Sequence, residues 1–121
     1  MGLLDFTKTL CETREVHLDK ELKTRYYKTS YTKVKEQVEN FCTLEDLNIT
    51  NINDTHGEIL IQTNKFHAIV SVIQVTPLET ACDIKVQAYG VFGMHRPRKT
   101  ILALYEHLNK TLKFKGVSLH P

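Results

Sequence analysis

From Glu58 to Tyr89 apolar residues recur at every second position in three linked runs, and this period of two is the strongest constraint on the fold. Ile59 and Ile61 alternate with Glu58 and Gln62. Phe66, Ala68, Val70 and Val72 alternate with His67, Ile69, Ser71 and Ile73, and Cys82, Ile84, Val86 and Ala88 alternate with Asp83, Lys85, Gln87 and Tyr89. Successive side chains of a strand point to opposite faces, so each run predicts a strand with one buried side. Turn-forming residues separate the runs: Asn53-Asp54-Thr55-His56-Gly57, Asn64-Lys65 and Pro77-Leu78-Glu79. A hairpin turn at Asn64-Lys65 sets Ile61 opposite Ala68 and Ile59 opposite Val70. A three-residue loop at Pro77-Leu78-Glu79 sets Val72 opposite Ile84 and Val70 opposite Val86. Both registers gather the apolar positions on one face, which predicts an antiparallel meander. Leu47 and Ile49 extend it by one earlier strand.

On both sides of the meander the period lengthens. Tyr31, Val34, Val38, Phe41 and Cys42 form one helical stripe, with Lys33, Lys35, Glu36, Glu39 and Asn40 facing away and Ser30 or Thr32 available as the N-cap. Ile101, Leu104, Tyr105, Leu108 and Leu112 mark a closing helix with Pro97 in its first turn. The Thr-rich stretch from Leu22 to Thr29, with Tyr26 and Tyr27, predicts a first strand. The expected architecture is α+β: a curved antiparallel sheet, in the order β-α-β-β-β-β-α, with both helices on one face. Leu3, Leu4, Phe6, Leu10 and Cys11 suit a short N-terminal helix. The chain is therefore expected to be a single domain over 1–121, with an N-terminal helix and linker (1–21), an α+β core (22–113) and a tail (114–121). The tail is apolar enough to pack back onto the domain or a neighbour.

A chain of 121 residues with 41% hydrophobic content can bury one core and not two. No apolar run reaches the length of a membrane span, and the start lacks the basic-apolar-small order of a secretory signal. Cys11, Cys42 and Cys82 are odd in number and widely spaced, which signals neither a disulfide framework nor a zinc site. A cytoplasmic protein is expected.

The face of the meander opposite the helices is the most informative surface. It carries Glu58, Ser71 and Lys85 in one expected row and Gln62, His67 and Tyr89 in another, with Leu60, Ile69, Ile73 and Val75 among them. Four exposed aliphatic residues together begin a patch that a partner subunit, the N-terminal segment or a ligand would cover; the bland reading is a solvated face with cross-strand pairs. Leu60, His67, Ile69, Ile73 and Tyr89 are accordingly the candidate ligand or partner face.

Charge offers a second candidate. Residues 61–121 hold eight Lys/Arg against three acids, and Arg96, Arg98, Lys99 and Lys110 cluster in sequence on or near the closing helix. Cations at a helix N-terminus oppose its dipole, and free amides there can hold an anion, so these four are candidate anion-binding residues. A solvated basic turn is the simpler alternative. The six histidines are scattered without metal-binding spacing, and no nucleophile elbow or Cys–His arrangement is present, so no metal, no cofactor and no catalytic residue is assigned and an enzyme is the least favoured class. Lys23, Arg25, Lys28 and Lys33 around Tyr26, Tyr27 and Tyr31 keep nucleic acid open as a partner, without an RNP-type motif to support it.

In its β-α-β4-α order from Leu22 to Leu112, with Arg96-Pro97-Arg98-Lys99 opening the last helix, the chain resembles small bacterial cytosolic proteins with a helix-grip or TATA-binding-protein-like sheet. That resemblance is one of topology and implies no activity. The expected function is a non-catalytic binding domain acting through the open sheet face, as a homodimer or with a small apolar or anionic ligand. The alternative is anion or nucleic-acid binding at the basic start of the last helix.

Overall fold

The computed structural model describes residues 10–89 and 97–120. Among them, seven strands form one open antiparallel sheet and two helices pack against it. The strands are β1 (Leu10–Glu12), β2 (Arg25–Tyr27), β3 (Ile49–Asn53), β4 (Glu58–Gln62), β5 (Phe66–Thr76), β6 (Glu79–Ala88) and β7 (Phe114–Val117); the helices are α1 (Tyr31–Leu44) and α2 (Pro97–Thr111). The order across the sheet is β3-β4-β5-β6-β2-β7, and β1 also pairs with β6. The expected β-α-β4-α core is present, and β1 and β7 are additions to it. Among the described residues no helix is long and apolar enough to cross a membrane.

Helix α1 has sequence-encoded ends. Ser30 Oγ accepts the Lys33 amide at 3.4 Å, and the Gln74 side chain accepts that of Tyr31 at 3.1 Å. At the C-terminus Asp46 takes φ 56°, while the Leu47 amide reaches Cys42 O (2.7 Å) and the Asp46 amide reaches Thr43 O (3.3 Å). This pair of bonds closes the helix in a Schellman turn. The stripes Val34, Val38 and Phe41 of α1 and Ile101, Leu104, Tyr105 and Leu108 of α2 bury the sheet face built from Ile59, Val70, Val72, Ile84 and Val86.

Register confirms the β4–β5 expectation and corrects the next hairpin. Ile59 pairs with Val70 and Ile61 with Ala68. Between β5 and β6, however, Val70 pairs with Ile84 and Val72 with Cys82, two residues away from the expected register. The turn holds Pro77 and Leu78 alone, since Thr76 pairs with Glu79, and Val75 is an extra residue where the ladder shifts between Gln74 and Thr76. A shift of two leaves every side chain on its face, which is why the apolar pattern could not detect it. The Asn64-Lys65 turn closes through Thr63, whose hydroxyl accepts the amides of Lys65 and Phe66 at 3.1 Å each.

The N-terminal expectations change more. Residues 3–9 of the expected helix lie outside the described residues, and Leu10 and Cys11 belong to strand β1, paired with Gln87 and Val86. Pairing with a long strand satisfies their backbone groups directly, where a helix would have needed several further turns. The segment read as a polar linker contains a 3-10 turn at Lys20–Leu22, capped by Asp19. The first strand is confined to Arg25–Tyr27.

Candidate functional site

The open face is built by the even-numbered residues of β4 (58–62) and the odd-numbered ones of β5 and β6. Glu58 pairs with Ser71 and Ser71 with Asp83; Leu60 pairs with Ile69 and Ile69 with Lys85; Gln62 pairs with His67 and His67 with Gln87. The expected rows are corrected by the same two-residue shift: Asp83 replaces Lys85 beside Ser71, and Gln87 replaces Tyr89 beside His67. Tyr89 still reaches His67, its hydroxyl lying 3.2 Å from Nδ1. The five candidate residues thus share one face but fall at three places along it. His67 and Tyr89 lie at one end, Leu60 and Ile69 at the centre, and Ile73 four residues beyond Ile69, about 13 Å away at strand rise.

Only part of this face is open. At its β2 end the tail and the segment after β1 fold over it. Tyr26 donates to Glu15 Oε1 at 2.6 Å, and the His120 ring stands edge-on to Tyr26 with centroids 5.2 Å apart. Ser118 Oγ donates to Glu15 O at 2.6 Å, and His120 Nε2 lies 2.8 Å from Glu79 Oε2, while Lys115 pairs with the other Glu79 oxygen. Lys115 and His120 hold the Glu79 carboxyl below its ordinary pKa, Lys115 first. The tail packs back onto the domain as expected, but through strand pairing of Phe114–Val117 with β2 and these polar contacts, while its apolar residues Phe114, Val117 and Leu119 stay exposed.

The centre of the face holds a depression of about 270 Å³ lined by Glu12, Thr13, Glu58, Ile69, Ser71, Asp83, Ile84 and Lys85. It exists because the neighbour of β6 changes along its length. β1 pairs with residues 85–87 and β2 with 80–82, so the sheet forks at Asp83 and Ile84. Thr13 fills the fork: its amide donates to Ile84 O (2.8 Å), its Oγ1 accepts the Ile84 amide (2.8 Å) and donates to Asp83 Oδ1 (2.6 Å). Thr24 Oγ1 donates to the same carboxylate oxygen at 2.7 Å, and Tyr105 donates to Cys82 O at 2.7 Å with Thr13 Oγ1 3.1 Å away. Burial pushes the Asp83 carboxyl above its ordinary pKa against the opposing pull of these two hydroxyls. Of the depression's lining only Ile69 belongs to the sequence-derived candidates. Glu12, Thr13 and Asp83 were missed because two of them lie in the segment read as helix end and linker, and the third was placed one row away.

Among the described residues the basic candidates do not converge. Arg98 Nε lies 2.9 Å from Asp19 Oδ2, and its Nη2 lies 3.6 Å from Glu21 Oε1. Lys110 pairs with Glu106 at 3.0 Å on its own helix. Twelve residues separate Arg98 from Lys110 (110 − 98), about 18 Å at helical rise. Lys99 is exposed on the first turn, and Arg96 lies outside the described residues. Among the described residues no group of three or more His, Cys, Asp or Glu is placed to hold a metal ion. Burial raises the Cys42 thiol to about 11 and pushes that of Cys82 up as well, so neither is primed as a nucleophile.

Comparison of the chain with protein-family models, curated proteins and solved structures finds no match.

Proposed function

We propose that this domain is a non-catalytic binding module that takes up its ligand or partner on the open sheet face, centred on the depression between β4, β5, β6 and β1. The observation that carries the reading is the meeting there of apolar surface with uneven charge. Leu60 and Ile69 sit side by side at the centre, and Glu12, Glu58 and Asp83 outnumber Lys85 around them. A ligand with an apolar body and a neutral or cationic group fits this lining; a phosphate backbone would meet an excess of carboxylates. No cysteine lines the depression, and Asp83, whose carboxyl burial pushes above its ordinary pKa, is engaged by the hydroxyls of Thr13 and Thr24, an arrangement that suits a structural joint beside a binding surface. The phosphate reading at the start of α2 draws less support, because Arg98 is already engaged by Asp19 and Glu21.

Native mass spectrometry of the protein as purified tests the proposal, with Ile69→Glu as the companion variant. A co-purifying small molecule or protein that is lost from Ile69→Glu is the expected result. A bare protein, or an adduct that Ile69→Glu retains, overturns it.

A further inference from the structure

The tail does more than add a strand. β7 runs beside β2 as far as Val117, and at Ser118 the backbone turns to a φ of 50°, in the left-handed region. From there the chain leaves the sheet edge and crosses the open face at its β2 end. The Ser118 amide donates to Thr24 O at 2.9 Å, and Ser118 Oγ donates to Glu15 O at 2.6 Å. The His120 amide donates to Glu15 Oε2, and the other oxygen of that carboxylate accepts from Tyr26. The His120 ring then lies between Glu79 Oε2, 2.8 Å away, and the Tyr26 ring, which it meets edge-on.

What lies beneath this crossing differs from the rest of the face. Ile73, Ala81 and Tyr26 pair in one row across β5, β6 and β2, and so share the open face. Ile73 is 55% exposed, whereas Ala81 and Tyr26 are buried. The difference coincides with the tail, because Glu15 and His120 stand against Tyr26 at the covered end of the row. Glu79 is buried in the same place, its side chain 5% exposed, with one oxygen on Lys115 and the other on His120. The cover itself is lightly attached. The His120 side chain is 54% exposed, and Leu119 folds back on its own strand, where a Cβ at Gly116 would stand 3.0 Å from its Cδ2. None of residues 118–120 is itself buried, and polar contacts hold them. Segments held in this way open locally at small cost while core strands stay closed.

We infer that residues 118–120 are a releasable strap over the β2 end of the open face, closed by Glu15 and Glu79 and opened in acid. Opening extends the accessible apolar row from Ile73 through Ala81 to Tyr26. The charged and titratable groups facing His120 are Glu79 from β6, Lys115 from β7, Glu15 from the segment after β1 and Tyr26 from β2. While Glu79 is ionised it holds both Lys115 and the His120 ring. Lys115 first, and then His120, keep its carboxyl below the ordinary range, so the closed state persists until the pH falls through that lowered value. Once Glu79 is protonated, Lys115 and an imidazolium face each other across a neutral group, and their repulsion favours release. The pairing of β7 with β2 rests on backbone bonds and not on that carboxylate, so release stops at Ser118 and leaves the sheet intact. As a control on what the open face binds, the inference rests on the ligand-binding reading; the opening itself is observable without any ligand.

NMR of the full chain tests the inference. At pH 7 the wild-type protein should show a nuclear Overhauser contact between the His120 and Tyr26 rings. Its Ser118 amide should exchange by local opening, with protection roughly a hundredfold below that of the core amides of Val72 and Ile84. Glu79→Gln removes the charge at neutral pH and should speed Ser118 exchange about tenfold further, by more than any change at Val72 and Ile84. His120→Ala alters an exposed side chain, leaves the fold in place, and should speed Ser118 exchange in the same direction. In wild-type protein taken from pH 7 to about pH 3.5, below the ordinary carboxylate range, the ring contact should vanish while circular dichroism stays that of the folded domain. Ser118 protection equal to that of the core overturns the inference, because the strap then opens only with the whole domain. So does a ring contact that outlasts the folded circular dichroism signal in acid, or Ser118 exchange left unchanged by both variants. The ligand-binding reading is decided separately by the adduct on Ile69→Glu, and neither of its outcomes alters these readouts.

Discussion

Asp83 shows how one residue can stabilise a joint and still be under strain from its charge. Its Oδ1 accepts from both Thr13 and Thr24, and these bonds tie together the segments on either side of the fork. Burial nevertheless raises its pKa, so the ionised form is disfavoured in the folded state. A group with a raised folded pKa holds extra protons there, and its contribution falls as pH rises through that pKa. Asp83→Asn keeps an oxygen for the two hydroxyls and removes the charge. It should be more stable than wild type at pH 7, with the difference closing toward pH 4, as measured by urea midpoints. Asp83→Ala removes the acceptor and should lose about 1–3 kcal/mol for the stranded hydroxyls. None of this was legible in the sequence, where Asp83 is one polar residue in an alternating run. Its partners lie 70 and 59 residues away, beyond the reach of any local pattern.

At the scale of elements the sequence was more informative, because elements are what periodicity describes. The stripe from Tyr31 to Cys42 and the cap at Ser30 located α1, and the turn residues at 64–65 set the β4–β5 register. The β5–β6 register missed by two because a bulge and a shorter turn compensate each other without moving any side chain to the other face. The end of α1 carries a testable imperfection. Asp46 occupies the left-handed position at which glycine is usual, and a non-glycine residue there is disfavoured by roughly 1–2 kcal/mol. Asp46→Gly should stabilise the protein by about 1 kcal/mol, since glycine's greater freedom in the unfolded chain offsets part of that relief. A rise in the urea midpoint with an unchanged slope would bear this out; no change would place the strain elsewhere.

Across the whole molecule, the flanking segments complete a sheet that the middle of the chain begins. The core faces were legible in the apolar alternation. β1 and β7 were not, because strands of three and four residues are too short to show a period and are fixed by partners far along the chain. The tail's attachment through Glu79 sets a pH dependence of the whole. Lys115 and His120 depress the Glu79 pKa, so its contribution is present above the unfolded value of about 4.3 and is lost as pH falls through the folded value. Glu79→Gln should therefore be less stable than wild type at pH 7 and converge with it below pH 4, the opposite trend to Asp83→Asn. Circular dichroism is the suitable probe, since the chain has no tryptophan. The placement of β2 between β6 and β7 also has a bearing on biosynthesis. Phe114 is made 87 residues after Tyr27 (114 − 27), which at roughly 5–20 residues per second is about 4–17 s on the ribosome. For the first 53 of those residues (80 − 27) β6 is unmade as well, so β2 gains its inner neighbour first and its outer edge stays open until Phe114–Val117 is made.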